Sequence, residues 1–207
     1  MKPNHVVLAV SLTAVLAACG TTMSNLQPGG YLSSYDGLQT TNANSRATIT
    51  SAVTLNPALI QVVDVQWRAA DEAGLDEKER AELLVQLRHE LIQQVARLPA
   101  AADGRPAQLR AAITRVETVS PALNTLGILL LVGPLDRGGV AVEMEAIDPA
   151  TGKQLAAMRL GYFAPLSDLS ARFSRLAPAQ IAIQRAVKDF TRLLTPQEPT
   201  GQVQAAG

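Results

Sequence analysis

Cys19 is the residue whose chemistry the sequence makes most specific. It is the only cysteine among 207 residues, and it closes an apolar stretch that begins at Val6 and follows the positive charge of Lys2. A charged start, a short apolar run and small residues at its end are typical of an export signal that is later removed. The run is shorter than the ~20 apolar residues that cross a bilayer. We therefore predict that residues 1–18 are a signal peptide.

The four residues Leu16-Ala17-Ala18-Cys19 resemble the lipobox of bacterial lipoproteins. The resemblance implies that Cys19 begins the mature chain, with a diacylglyceryl group on its sulfur and a third acyl chain, such as palmitate, on its amino group. Two membrane signals already give stable attachment. In such lipoproteins an aspartate after the cysteine favours the inner membrane; because Gly20 stands there, we expect the periplasmic side of the outer membrane. The alternative is that Cys19 stays an unmodified thiol in the protein core, at the end of a helix that is not removed.

The rest of the chain offers few groups for catalysis. His89 is the one histidine beyond the signal, and it lies on the polar side of a predicted helix. No residues have the spacing of a zinc site. Glu143 and Glu145 lie two apart on a predicted strand and hence on one face, which the sequence assigns most simply to solvent. We therefore predict no catalytic residue, no metal ligand and no cofactor.

Composition narrows the class of protein. Removal of the signal leaves 189 residues, enough for one domain with a substantial core. The whole chain has 18 basic and 18 acidic side chains, and loss of Lys2 with the signal leaves 17 basic and 18 acidic ones. This balance gives no electrostatic reason to expect nucleic acid as a partner. With a single cysteine there is no internal disulfide, so packing must supply the stability.

Small polar residues dominate the segment 19–46, which we predict to be a flexible tether behind the lipidated cysteine. Tyr31, Leu32, Tyr35 and Leu38 are too apolar for a pure linker, so we expect part of this segment to pack on the domain. Residues 47–196 have the pattern of a single domain, and the tail at 197–207 is predicted to be disordered.

Within the domain, apolar periodicity and turn signals predict the order strand, helix, strands, helix. This order favours an α/β (α+β) fold in which a small mixed sheet with a C-terminal hairpin is packed by two main helices. The first helix is predicted to bury Leu84, Leu87, Leu91, Val95 and Leu98, and the last Ile183, Val187, Phe190 and Leu194. The predicted elements are a strand at Ala58–Trp67, a helix capped by Asp76 and ending near Leu98, a strand at Leu109–Val119, hairpin strands at Val140–Ile147 and Gln154–Tyr162, a short helix at Leu166–Leu176 and a helix at Pro178–Leu194.

An apolar run between Leu126 and Val132 has three possible structures. Its length allows a buried strand, a core helix or an exposed patch, and periodicity does not separate them. Exposed apolar patches mark partner or membrane contacts. The residues that would then contact a partner are Leu126, Ile128, Leu129, Leu130 and Leu131.

Three features together are similar to an uncharacterised family of proteobacterial lipoproteins, the domain of unknown function 3313. They are the signal with Cys19, the segment Ser120-Pro121-Ala122-Leu123-Asn124 before the apolar run, and the hairpin at residues 140–156 with its Asp-Pro-Ala-Thr-Gly turn. The resemblance implies a small mixed α/β domain like those of other envelope lipoproteins. It implies no catalytic residues.

We therefore expect a non-enzymatic envelope lipoprotein whose partners are the membrane, through Cys19, and either an envelope protein or a second copy of itself. The alternative is a lipid-anchored enzyme or small-ligand carrier with a pocket near residues 120–135 and the hairpin. Asn124, Glu143 and Glu145 would then be the polar groups of the pocket.

Overall fold

The computed structural model describes residues 28–42, 45–49, 54–70, 74–120, 138–163 and 174–195. Cys19, the apolar run at Leu126–Val132, Asn124, most of the short helix predicted at Leu166–Leu176 and the C-terminal tail lie outside these residues. The described part contains strands β1 (Gln39–Asn42), β2 (Ser45–Ile49), β3 (Leu55–Trp67), β4 (Arg105–Glu117), β5 (Gly139–Ile147) and β6 (Gln154–Phe163), with helices α1 (Glu77–Val95) and α2 (Ala177–Leu193).

The six strands form one mixed sheet in the order β1-β2-β6-β5-β4-β3. Every neighbouring pair is antiparallel except β3 and β4, which run parallel because α1 connects them. This architecture confirms the predicted α+β fold and its order of elements. It places β5, with both Glu143 and Glu145, among the inner strands.

The tether is shorter than we predicted for residues 19–46. Residues 39–42 form β1, which pairs with β2, and β2 pairs in turn with β6. Thr40 and Thr41 are exposed because β1 is an edge strand, and Thr41 Oγ1 donates to the carbonyl oxygen of Ser45. An edge strand with exposed polar side chains has no apolar alternation, which is why the sequence pattern did not reveal it.

The first helix begins where its capping residue predicted, and the last begins at Ala177, one residue before the predicted start at Pro178. Asp76 Oδ1 accepts from the backbone N–H of Glu79, and the Glu79 side chain accepts in return from the N–H of Asp76. The buried stripe of α1 differs from the prediction at its two ends: Leu83 is buried where Leu84 was expected, and the helix ends at Val95, before the half-buried Leu98. Leu87, Leu91 and Val95 are buried as expected, as are Ile183, Val187, Phe190 and Leu194 of the last helix.

The apolar core lies between the helices and one face of the sheet. Strand side chains alternate between the two faces, so each inner strand gives every second residue to this core. The fully buried members include Leu109 and Ile113 on β4, Val140 and Met144 on β5, and Leu83, Ile183 and Phe190 on the helices. The remaining residues of the strands face the other side, away from both helices of the described structure.

The β5–β6 hairpin turn has the geometry that its residue types predicted. Asp148 Oδ1 accepts from the N–H of Ala150, and Gly152 has φ +68°, the left-handed region that favours glycine. The Ala150 N–H holds the pKa of the Asp148 carboxyl below its ordinary value, and the nearby Arg105 guanidinium, which forms an ion pair with Asp148, acts in the same direction.

Candidate functional site: two buried carboxylates beneath an N-terminal strap

Glu143 and Glu145 lie on the sheet face that the helices leave free, yet they are only 2% and 0% exposed. The predicted assignment of this face to solvent is therefore wrong. The strand register places Glu143 opposite Arg159 of β6 and Glu145 opposite Arg110 of β4. Each acidic side chain thus has a basic cross-strand neighbour.

The cover over these carboxylates is residues 28–36, which we call the strap. Its backbone N–H groups at alternate positions donate to the carboxylates: Gly29 to Glu143 Oε1 at 2.7 Å, Tyr31 to Glu143 Oε2 at 3.1 Å and Ser33 to Glu145 Oε2 at 2.9 Å. Charge-assisted hydrogen bonds of this kind are stronger than neutral ones. The strap therefore lies along β5, and three of its backbone N–H groups hold it there.

Side chains complete the shell around both glutamates. Tyr35 Oη donates to Glu143 Oε2 at 2.7 Å, and Ser33 Oγ donates to Glu145 Oε2 at 2.7 Å. Gln154 Nε2, from the start of β6, donates to the same Glu145 oxygen at 2.8 Å. The carboxylates have thus exchanged water for protein donors, the condition under which buried charge is tolerated.

Two arginines balance the negative charge. Arg159 Nε lies 3.4 Å from Glu143 Oε1, and Arg110 Nη1 lies 3.1 Å from Glu145 Oε1. Strap tyrosines also cover these arginines: the guanidinium carbon of Arg110 is 5.1 Å from the centre of the Tyr31 ring, and that of Arg159 is 5.5 Å from the Tyr35 ring. These distances are those of cation–π contacts. Each strap tyrosine therefore covers one ion pair.

Asp64 of β3 extends the charged row, which already spans β6, β5 and β4, to a fourth strand. It lies in register with Arg110, and its Oδ2 accepts from the Tyr31 hydroxyl at 2.9 Å and from Gln66 Nε2 at 2.7 Å. Burial raises the pKa of the Tyr31 phenol, and the hydrogen bond to Asp64 raises it further. Burial likewise raises the pKa of Tyr35, with the hydrogen bond to Glu143 adding to the shift.

Gly29 brings the strap into close contact with the sheet. A Cβ atom at this position would lie 2.4 Å from Thr114 Cγ2 and 3.1 Å from Glu143 Cδ. Any other residue would push the strap away from the carboxylate that its N–H contacts. The close approach therefore explains why residue 29 is a glycine, although its φ is not positive.

The arrangement is suited to holding an extended peptide segment. The carboxylate oxygens already have donors or basic partners, which leaves them poorly placed to exchange protons with a substrate.

Among the described residues, no group of three or more His, Cys, Asp or Glu could hold a metal ion. His89 is exposed on α1. In the same part of the chain, neither helix combines the length and the apolar character needed to cross a membrane.

Two grooves in the described structure lie away from the hairpin. One, of about 450 Å³, runs between α1 and α2 beside residues such as Arg97, Arg185 and Lys188. The other, of about 150 Å³, is lined by residues that include Leu55, Leu98 and Leu194. Neither includes Glu143 or Glu145, so neither supports the ligand pocket considered from the sequence.

Sequence reasoning identified Glu143 and Glu145 as a pair on one face but not their partners. Arg110, Arg159 and Asp64 become neighbours of the pair only through strand register. The signal that could have revealed the strap was the presence of Tyr31 and Tyr35 in a segment rich in small polar residues. The predicted partner contact at Leu126, Ile128, Leu129, Leu130 and Leu131 lies outside the described residues and stays a prediction.

A family model described as "Protein of unknown function (DUF3313)" matches residues 27–190. The chain belongs to this family. The match begins one residue before the strap, so the DUF3313 region includes both the strap and the carboxylates it covers. No curated protein matches the chain.

Several solved structures are similar to this DUF3313 protein. A single-residue variant of PelC from Paraburkholderia phytofirmans, solved as a dodecamer, is 14% identical with a TM-score of 0.46, over 74% of this chain and 98% of that one. A second PelC dodecamer from that organism is 14% identical with a TM-score of 0.40, over 70% and 96%. A protein of Caulobacter crescentus CB15, provisionally named a lipoprotein, is 15% identical with a TM-score of 0.31, over 66% and 85%.

Replacing Glu143 tests whether the strap and the ion pair depend on each other. Glu143→Ala should lower the free energy of unfolding by about 3–5 kcal/mol, because it leaves Arg159 buried without its carboxylate and removes the acceptor of three strap donors. Glu143→Gln, which keeps the shape and one acceptor oxygen, should lose less. Urea unfolding of the mature chain measures both, and Glu82→Ala, at an exposed glutamate, is the control. Wild-type stability of Glu143→Ala would contradict the assignment.

The raised tyrosine pKa values predict an alkaline loss of stability. Because the Tyr31 phenol ionises more easily in the unfolded chain than under the strap, the free energy of unfolding should fall as the pH rises above about 10. Tyr31→Phe should reduce this alkaline slope, while lowering stability at neutral pH by about 1 kcal/mol through loss of the Asp64 hydrogen bond. Urea unfolding at several pH values measures the slope. Tyr162→Phe, outside the strap, is the control.

Proposed function

We propose that this protein is a lipid-anchored lipoprotein of the cell envelope that acts as a non-enzymatic module, binding a protein partner or assembling with copies of itself. Its anchor is acylated Cys19, on the periplasmic side of the outer membrane. The order Leu16-Ala17-Ala18-Cys19 after an export signal supports the anchor, and Gly20 supports the choice of membrane.

The observation that carries the binding role is an exposed apolar surface at one edge of the domain. Four large hydrophobic side chains in the described structure are exposed, and all of them belong to β3 and α1. They are Leu59 and Val63 on β3 and Val85 and Ile92 on α1, and we call them the apolar edge. Large apolar side chains left exposed on neighbouring elements mark a candidate contact surface.

The two elements of the apolar edge are joined at Arg88. Its Nη1 donates to the carbonyl oxygen of Val62, so this side of α1 faces β3. Val85 and Ile92 lie three residues before and four residues after Arg88, and hence on the same side of the helix. β3 is the outermost strand of the sheet at this edge, and an open strand edge can pair with another chain.

The engaged state of the buried carboxylates supports a non-enzymatic role. Glu143 and Glu145 are occupied by the protein's own strap and by Arg159 and Arg110. A catalytic acid or base needs access to the proton that it transfers. The apolar run predicted at Leu126–Leu131 would provide a second contact surface in this proposal.

Cys19→Ala tests the anchor. The substitution removes the sulfur that carries the diacylglyceryl group, so the protein should lose lipid labelling and leave the membrane fraction. Metabolic labelling with a fatty-acid analogue and membrane fractionation give the two readouts. Ser24→Ala, beyond the proposed cleavage site, is the control and should label normally. Retention of Cys19→Ala in membranes would contradict the anchor.

A charge on the apolar edge tests the binding role. Val63→Lys combined with Ile92→Lys should weaken capture of an envelope partner, or self-association, at least tenfold, because a lysine in a desolvated apolar contact is poorly tolerated. Both sites are exposed, so thermal stability should change little. Thr40→Lys on the opposite edge is the control. Affinity capture from solubilised envelopes and light scattering give the readouts; unchanged values in both would exclude this edge.

A further inference from the structure

The larger groove, between α1 and α2, is lined by one side of each helix. Its volume of about 450 Å³ lies within the range of small-molecule sites. The lining residues recur at spacings of three and four, which place side chains on the same side of a helix. They are Glu90, Gln94 and Arg97 from α1 and the turn after it, and Ile181, Gln184, Arg185 and Lys188 from α2.

The charges of this groove do not balance. Three of its side chains are basic and one is acidic, which gives a net charge of +2 in a chain whose overall charge is zero. Arg185 and Lys188 lie three residues apart on α2, where like charges repel each other. We call this surface the cationic groove.

The basic side chains of the cationic groove have no acidic partners within the described residues. Arg97 and Lys188 are exposed, and neither side chain forms an ion pair or a hydrogen bond there. Other basic side chains of the domain are neutralised by carboxylates. The arginines that form such ion pairs are Arg105, Arg110, Arg115, Arg159, Arg175 and Arg192. The cationic groove therefore keeps its positive charge available to a ligand.

Arg185 is held in place without being neutralised. Its Nη1 donates to the Tyr162 hydroxyl at 3.3 Å, and its guanidinium carbon lies 5.4 Å from the centre of the Tyr162 ring. Both contacts leave the positive charge intact and most of the N–H donors unused. A side chain that is already restrained loses less conformational entropy when a ligand binds. Arg185 is thus prepared to bind an anion.

We propose that the cationic groove binds a phosphate monoester carried on a polyol. Such a group has a charge of about −1.5 to −2 at neutral pH, which matches the charge of the groove. Guanidinium groups bind phosphate oxygens through paired N–H donors, and Arg97 and Arg185 supply them, with Lys188 as a further charge. A free sugar phosphate and a lipid with a phosphate monoester headgroup share this chemistry.

The remaining polar residues favour a ligand with hydroxyl groups over bare phosphate. The Glu90 carboxylate repels an anion but accepts hydrogen bonds from hydroxyls, and the Gln94 and Gln184 amides both donate and accept them. Glu90 therefore lowers affinity for inorganic phosphate and raises selectivity for a phosphate attached to a sugar.

Calorimetric titration of the mature protein in a non-ionic detergent with glucose 1-phosphate tests the site. Arg97→Gln combined with Lys188→Gln should weaken binding at least tenfold, because two of the three positive charges are lost. The matched control is Arg192→Gln, an exposed arginine of α2 that is paired with Asp189 and lies outside the groove; it should change the affinity less than twofold. Both mutated groove residues are exposed, and circular dichroism checks that the variants fold.

Glu90→Gln gives a second readout that a merely structural role would not produce. Loss of the carboxylate should strengthen binding of inorganic phosphate severalfold and reduce the preference for glucose 1-phosphate over inorganic phosphate. Glucuronate, which carries a single carboxylate charge, should bind the wild-type protein more weakly than glucose 1-phosphate. Glucose, which is uncharged, should not compete.

The short-chain lipid dihexanoyl phosphatidic acid distinguishes the two sources of the phosphate. Tighter binding of this lipid than of glucose 1-phosphate, with the same loss in the double variant, assigns the site to a lipid headgroup; the reverse order assigns it to a free sugar phosphate. No measurable binding of either, an equal loss in Arg192→Gln, or glucuronate binding as tightly as glucose 1-phosphate would overturn the proposal. The site does not depend on acylated Cys19 or on the apolar edge, so these results and those for the proposed function are separate.

Discussion

Burial of two carboxylates on one inner strand is the constraint on which this structure depends. Glu143 and Glu145 sit beneath the strap, where an unpaired charge would cost several kcal/mol. Arg159 and Arg110 supply the balancing charge, and the strap supplies the donors that water would otherwise provide. The strap is therefore part of the fold, although it lies in a segment that we predicted to be mostly a tether.

The same contacts join the N-terminal segment of the chain to the centre of the sheet. The strap is the described segment closest in sequence to Cys19, and it is fixed to the sheet by three backbone N–H groups rather than by apolar packing alone. A force applied to the chain ahead of the strap would therefore be transmitted to β5, which carries both glutamates. The helices pack on the other face of the sheet, so a partner bound at Val85 and Ile92 of α1 would leave the strap in place.

The local sequence pattern predicted the helices, the strands and the hairpin turn, but not which strands pair with which. The capping box at Asp76, the stripe from Leu87 to Val95 and the turn at Asp148 each depend on residues close in sequence, and the structure contains all three. The site depends on register between distant strands: alternation predicts that Glu143 and Glu145 share a face, but not that Arg110 and Arg159 lie opposite them. β1 was not predicted because its polar residues, including two exposed threonines, do not alternate with apolar ones.

The position of the strap has a practical consequence for preparing this protein. A recombinant fragment that began at residue 47, where the apolar pattern of the domain starts, would lack the strap, β1 and the beginning of β2. Its sheet would then present a water-filled cleft lined by Asp64, Glu143, Glu145 and two arginines. Such a cleft would attract buffer ions and cationic peptides, and a ligand screen on the fragment would report binding that the intact protein does not have.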